Sequence, residues 1–230
     1  MIVIEGIIGA GKTTFSHGLH KKIARSTLYL EPVNSNPYLD KFYKDPARWG
    51  LEMQYFLMAK RFQMHVEGIY KEWSEGTTTI FDRSIYGDRA FAEVLHDDGF
   101  IDDMGYQSYL QHRQCMEKQL LKPQLVIHLN VGIETAIERV RQRGRECESG
   151  ISGTYLKSLN NAYLKILGEL QKDTTVETIP WDQDRTEDEI QFEVSAICKR
   201  HASKFIRHEG LSHPKTQPTQ QSAPRQMVAT

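Results

Sequence analysis

The sequence has no apolar run approaching the roughly 18 to 20 residues that a membrane span needs, which sets aside integral membrane proteins built from helices. It has little cysteine. Cys115, Cys147 and Cys198 are odd in number, widely spaced and form no CxxC pair, which argues against a disulfide framework and a paired-cysteine zinc site. It also lacks an excess of charge of either sign: 29 Lys and Arg face 30 Asp and Glu, a formal net charge of −1. No basic field argues for nucleic acid as a partner. Met1 leads straight into the first apolar stretch, leaving no room for a signal or transit peptide. A cytoplasmic protein with no membrane partner is the expectation.

What the sequence does carry is an alternation of strand and helix patterns. Residues 2–5, 27–31, 77–82, 124–130 and 174–179 read as short strands, and the first, third and fourth are apolar enough for a buried parallel sheet. Helical patterns fall near 12–25, 49–74, 86–96, 105–121, 133–143, 153–172 and 187–206. The alternation predicts an α/β fold with a parallel sheet. Residues 1–206 form the expected domain. The Gln-, Pro-, Ser- and Thr-rich remainder, 207–230, has no apolar periodicity and reads as a disordered tail.

The segment Gly6-Ile7-Ile8-Gly9-Ala10-Gly11-Lys12-Thr13 fits GxxxxGK[ST], with an apolar strand before it and a helical pattern after it. Glycines let successive backbone N–H groups turn inward around phosphate oxygens, and the helix adds its positive end. Lys12 would reach the β- and γ-phosphates, and the Thr13 hydroxyl, next to Thr14, would sit on Mg²⁺. The segment predicts a site for a nucleoside triphosphate.

Motors and switches also use such loops, so the acceptor must be read elsewhere. The second strand runs into Glu31-Pro32, and ligands collect at the carboxyl ends of strands in an open parallel sheet. Glu31 could take a proton from an attacking hydroxyl. The third strand ends in Asp82-Arg83-Ser84. Asp82 could hold the Mg²⁺ hydration shell or act as the base, while Arg83 neutralises charge on the acceptor side. Arg139 and Arg143 share a helix face four residues apart, and Gly144 marks the exit to Arg145 and a segment, 147–153, that reads as flexible. Such arginines can close over a triphosphate as a lid spanning about 143–153. On the long helix, Gln54 and Arg61 lie seven residues apart on one face, suited to a nucleobase edge, and Asp88 could hold Arg61.

With these motifs in order (IEGxxGAGKTT, EP, FYKDPARWGLEMQ, Lys60-Arg61, DRSIYGD and RxRQRGRE with a following glutamate), most of residues 1–206 resembles the deoxynucleoside kinases of the deoxycytidine, deoxyguanosine and deoxyadenosine kinase type. The resemblance implies a P-loop kinase fold, a five-stranded parallel sheet with helices on both faces and an arginine-bearing lid, commonly assembled as a homodimer. It implies that Glu31 and Arg83 meet the acceptor 5′-hydroxyl, with Asp82 near the metal. Tyr43 and Glu148 would hold the sugar 3′-hydroxyl, the Tyr43 ring filling the space of a ribose 2′-hydroxyl. Gln54, Arg61 and Asp88 would read the base, and Arg139, Arg143 and Arg145 would form the lid. Gly6, Gly9, Ala10, Gly11, Lys12, Thr13 and Thr14 would bind ATP, and Asp184 and Arg185 belong to a loop that encloses the adenine of ATP in relatives. Asn34 to Asn36 replace an aromatic that often lines the base pocket.

The expected activity is ATP- and Mg²⁺-dependent phosphorylation of a 2′-deoxynucleoside at its 5′-hydroxyl. The resemblance implies a purine deoxynucleoside or deoxycytidine rather than thymidine, since thymidine-preferring relatives carry small or apolar residues where Arg61 and Asp88 stand, and it leaves adenine, guanine and cytosine open. A nucleoside monophosphate kinase of thymidylate kinase type is the nearest rival, but it would need more cationic partners than Leu30 and Val33-Asn34 offer around the EP turn. A nucleotide switch or assembly ATPase is the rival from another class.

Overall fold

The computed structural model describes residues 1–33 and 36–205. The predicted tail and the Asn34 end of the Asn34–Asn36 stretch lie outside the described residues. Five strands, β1 (Ile2–Glu5), β2 (Ser26–Tyr29), β3 (Thr78–Asp82), β4 (Leu125–Asn130) and β5 (Thr175–Pro180), form one sheet in the order β2-β3-β1-β4-β5. Every pairing is parallel. β1 occupies the centre, and Ile2, Val3 and Ile4 are fully buried, as a strand covered on both faces requires.

Helices α1 (Lys12–Lys22) and α8 (Glu187–Arg200) pack together, while α3 (Pro46–Glu75), α4 (Ile85–Asp97), α5 (Asp103–Glu117) and α7 (Gly153–Leu170) form a second group. The shorter helices are α2 (Leu39–Lys44), α6 (Ile133–Arg143) and α9 (Ala202–Phe205). The order reverses at β1, with β3 on one side and β4 on the other. The crevice at the carboxyl ends of β1, β3 and β4 is therefore the topological switch point where such sheets bind ligands.

Element boundaries differ from the pattern-based expectation for local reasons. β2 stops at Tyr29, so Glu31 stands beyond the strand in the following loop. α3 begins at Pro46 rather than 49, because Asp45 accepts a bond from the Arg48 amide and proline suits the first turn. The six-residue α2 was too short to leave a periodic signature. α1 ends at Lys22, before the left-handed Arg25 (φ 56°). α5 ends at Glu117, four residues earlier than expected. α8 stops at Arg200, where His201 leaves helical geometry and its ring meets Glu177. The segment expected to be flexible, 147–153, begins in a 3₁₀ turn at Glu146–Glu148 and ends with Ser152 capping α7.

Candidate active site

The loop between β1 and α1 wraps as the glycine pattern requires. Gly9 has φ 83°, and a Cβ there would run into the backbone carbonyl of Ala136 on α6. Its glycine therefore serves packing against the lid helix as well as backbone turning. Lys12 is buried and donates to the Ile7 carbonyl at 2.8 Å. Burial, then the charge of Arg83, push its ammonium down to a pKa of about 7, with Asp82, Glu31 and Glu5 opposing. Thr13 Oγ1 donates to Asp82 Oδ2 at 2.5 Å, and Asp82 Oδ1 is buried with no hydrogen-bond partner among the described residues.

Arg83 has φ 70°, a left-handed backbone in the DRS turn, with its amide donating to the Ile4 carbonyl. Its side chain is held from three directions. Nε donates to Glu31 Oε2 at 3.1 Å, and Nη1 donates to the Gly6 carbonyl at 3.1 Å and to the Tyr163 hydroxyl at 2.6 Å. The Phe91 ring lies 4.8 Å from the guanidinium. Next to it, Ser84 caps α4 by accepting from the amides of Tyr86 and Gly87, and donates to Glu5 Oε1.

Glu31 accepts a second guanidinium on its other oxygen, from Arg61 Nη2 at 2.7 Å. Arg61 Nη1 pairs with Asp88 Oδ1, both groups being almost fully buried. Burial alone would raise the Glu31 carboxyl, but Arg83, Arg61 and Lys12 hold it down to about 2. Asp88 is raised by burial against the opposing pull of Arg61.

Two cavities open onto this centre. One, of about 640 Å³, is bordered by the phosphate loop through Thr14, by Arg139, and by Trp181, Asp184 and Arg185. The other, of about 70 Å³, is bordered by Glu31, Tyr43, Gln54, Arg61 and Glu148, with Ile8 at the phosphate-loop end. The two cavities thus share Arg143 and Arg145, and the Glu31 carboxylate borders the smaller one.

Among the predicted residues, Gly9, Gly11, Lys12, Thr13 and Thr14 border the larger cavity, Thr13 meets Asp82, and Arg83 joins Glu31 to the Gly6 carbonyl, while Ala10 is buried. Gln54 reaches the acceptor cavity with Oε1 buried and without a partner among the described residues. Arg143 and Arg145 both bind Glu148. Arg139 takes a different direction from Arg143. It donates to the carbonyls of Trp181, Asp182 and Gln183 and to Asp184 Oδ1, tying α6 to the 181–185 loop. Arg185 lies over the Trp181 ring, 4.2 Å from its centroid.

Residues 2–205 match the deoxynucleoside kinase family. The chain belongs to that family. Deoxyadenosine kinase of Dictyostelium discoideum is 38% identical over 182 residues, 79% of this chain and 72% of the relative. Deoxyguanosine kinase of the same organism is 33% identical over 183 residues, and the chain spans 64% of its length. Deoxyadenosine/deoxycytidine kinase of Bacillus subtilis is 34% identical over 166 residues, 71% of this chain and 74% of the relative. A structure of deoxyadenosine kinase from M. mycoides with bound dATP superposes with a TM-score of 0.72 at 27% identity, covering 85% of this chain and 97% of that one. The same enzyme with its products dCMP and dCDP gives a TM-score of 0.74 at 29% identity, covering 88% and 98%. The deoxynucleoside kinase fold thus extends over the whole described core, and the chain is a kinase that phosphorylates deoxynucleosides.

Sequence reasoning missed three contributors to this kinase's centre. Tyr163 reads as an ordinary core position on α7, and only packing brings its hydroxyl to Arg83. Glu5 reads as a strand end, yet it lies buried under the DRS turn with its pKa raised by burial. Gly87 reads as a weak helix residue, but a Cβ there would collide with the Glu5 carboxylate. Glycine before Asp88 in a helix start was the one available signal for such a close approach.

Proposed function

We propose that the chain transfers the γ-phosphoryl group of ATP to the 5′-hydroxyl of a 2′-deoxynucleoside whose base carries an exocyclic amino group. The carrying observation is the pairing of Glu31 with Arg83 and Arg61 where the two cavities meet. In this reading Glu31 orients the 5′-hydroxyl and accepts its proton as transfer proceeds. Arg83 balances charge on the acceptor side, and Tyr43 and Glu148 hold the sugar. Lys12, the phosphate-loop amides, Arg143 and Arg145 hold the triphosphate and neutralise the transferring group. Arg139, through its bonds to residues 181–184, sets the donor-base loop rather than touching the γ-phosphate.

The base preference rests on Gln54 and Asp88. Each has a buried oxygen without a partner among the described residues, and such acceptors favour a base that donates from an amino group. Adenine satisfies this with its N6 amine and N7 acceptor, which an amide reads in two bonds. The names of the relatives, deoxyadenosine kinase and deoxyadenosine/deoxycytidine kinase, support the same class. Thymine has no such amine, which favours its exclusion.

Thr13 and Asp82 fit a Mg²⁺ ion: a hydroxyl and a carboxylate face each other, and the second carboxylate oxygen is buried and unpaired among the described residues. Mg²⁺ is commonly held by one or two carboxylates together with substrate phosphates and water, which these two residues would allow. Bound there, Mg²⁺ would offset charge on the β- and γ-phosphates. A homodimer, implied by the family resemblance, and a cytoplasmic location complete the proposal. Among the described residues no helix is long and apolar enough to cross a membrane.

The deciding experiment is a phosphorylation panel with radiolabelled ATP, the four deoxynucleosides, the matched ribonucleosides and dTMP. Preferred transfer to deoxyadenosine or another amino-bearing deoxynucleoside is expected. Transfer to thymidine at an equal rate overturns the base assignment, and transfer to dTMP alone overturns the reaction.

A further inference from the structure

The Arg61 guanidinium bridges two carboxylates with different duties. Its Nη1 is on Asp88, in the first turn of α4, where the pair is 2% and 0% exposed. Its Nη2 is on Glu31, which stands on a loop beyond β2 with a quarter of its side chain exposed. The Asp88 end is anchored in packed helix, so the Glu31 end is the one free to change partner.

The other hold on Glu31 is fixed. Arg83 is pinned by the Gly6 carbonyl and the Tyr163 hydroxyl and stays on Oε2. Glu31 Oε1 is therefore the oxygen that can be released, and Arg61 is what occupies it. Arg61 Nε and Gln54 Oε1, from two residues that border the same cavity, are buried polar atoms with no hydrogen-bond partner among the described residues. An incoming planar group with ring-nitrogen acceptors and an amine donor would satisfy both. The cavity has a volume of about 70 Å³ and shares Phe42, Tyr43 and Tyr155 with an adjoining one of about 750 Å³.

We propose that Arg61 couples recognition of the base to the readiness of Glu31: a base that engages Arg61 draws Nη2 away and frees one Glu31 oxygen for the acceptor hydroxyl. The inference rests on Gln54 and Arg61 being the base-reading residues, as in the function proposed above. A carboxylate held by two guanidinium groups is a weak base, and one held by a single guanidinium is a stronger one. Base choice is then expressed in kcat as well as KM. A nucleoside whose base leaves Arg61 untouched would bind yet keep Glu31 locked.

The test supplies base and sugar as separate pieces to the full chain. The acceptor is 1,2-dideoxyribofuranose, which has the 5′-hydroxyl and no base, and the effector is free adenine. At saturating sugar and ATP, adenine is expected to raise the turnover number about tenfold, the effect of restoring one charged hydrogen-bond rearrangement in the transition state. In Arg61→Met the sugar is expected to react as fast without adenine as with it. Adenine that competes with deoxyadenosine but leaves sugar turnover unchanged overturns the coupling. So does an Arg61→Met protein that adenine still accelerates.

Should Arg61→Met not fold, the ¹³C resonance of the Glu31 carboxyl in the unaltered protein decides. Adenine should move its titration to higher pH, and an unmoved titration with adenine bound overturns the proposal. Intact deoxyadenosine is the control. Its normal phosphorylation beside a silent adenine effect refutes the coupling alone, whereas no transfer to any intact deoxynucleoside overturns the functional reading as well.

Discussion

Glu31 and Lys12 show how position sets the chemistry of single residues. Glu31 has both oxygens on guanidinium groups, and its charged form is held firmly. Phosphoryl transfer passes through a loose transition state in which bonding to the nucleophile is slight, so Glu31, once one oxygen is released to the acceptor hydroxyl, need only orient that hydroxyl and take its proton late. Glu31→Ala is expected to lower kcat at least about 100-fold while ATP binding persists, as seen by equilibrium binding of a labelled analogue. Near-normal turnover would remove Glu31 from the reaction. Lys12 gives a pH prediction with a definite sign. Its pKa of about 7 makes it charged below that pH and neutral above, and a triphosphate favours the charged form. ATP affinity should therefore fall as pH rises through 7, and binding near pH 8 should take up close to one proton. Calorimetry in two buffers of different ionisation enthalpy measures that uptake, and a value of zero would mean Lys12 is already charged.

At the scale of elements, the centre depends on two junctions. The first is the β1–α4 contact, where Glu5 receives the Ser84 hydroxyl and Gly87 leaves room for its carboxylate. This contact fixes the DRS turn and with it the left-handed Arg83. Gly87→Ala should destabilise the fold by about 1–3 kcal/mol, the usual cost of overpacking, and lower kcat together with stability. Urea unfolding checks the first effect, and an unchanged midpoint would show that the Glu5 carboxylate can move aside. The second is the α2–α3 junction, where Asp45 caps α3 directly after the helix that carries Tyr43. Asp45→Ala should cost about 1 kcal/mol by thermal or urea unfolding, with KM for the nucleoside rising more than KM for ATP. Neither junction was legible in full. The Asp-Pro cap is a local signal within four residues, whereas the Glu5–Gly87 contact joins positions 82 residues apart through packing alone.

For the molecule as a whole, the two cavities meet at Arg143 and Arg145, and both arginines bind Glu148. Arg143→Ala is accordingly expected to raise KM for ATP and for the nucleoside and to lower kcat. Steady-state kinetics with each substrate varied in turn would refute the shared role if only one KM moved. The alternation of apolar strands with helical patterns determined the α/β class, since strand and helix periods are local properties of the chain. The ordered motifs likewise determined the phosphate loop, the strand-end acids and the family, because each is a short run whose residue types serve one backbone geometry. Tertiary structure alone decided which guanidinium meets which carboxylate. The sequence offers Asp88, on the helix after the DRS turn, as a partner for Arg61, but the second bond of Arg61, to Glu31, spans 30 residues and was not foreseen. Arg139 and Arg143 share a helix face in the sequence, yet one ties down the 181–185 loop and the other turns to Glu148. Glu148 is a local partner, five residues from Arg143, but Glu31 and the 181–185 loop follow strands far in sequence from the helices that carry Arg61 and Arg139, and only packing around the central β1 brings these within hydrogen-bond reach.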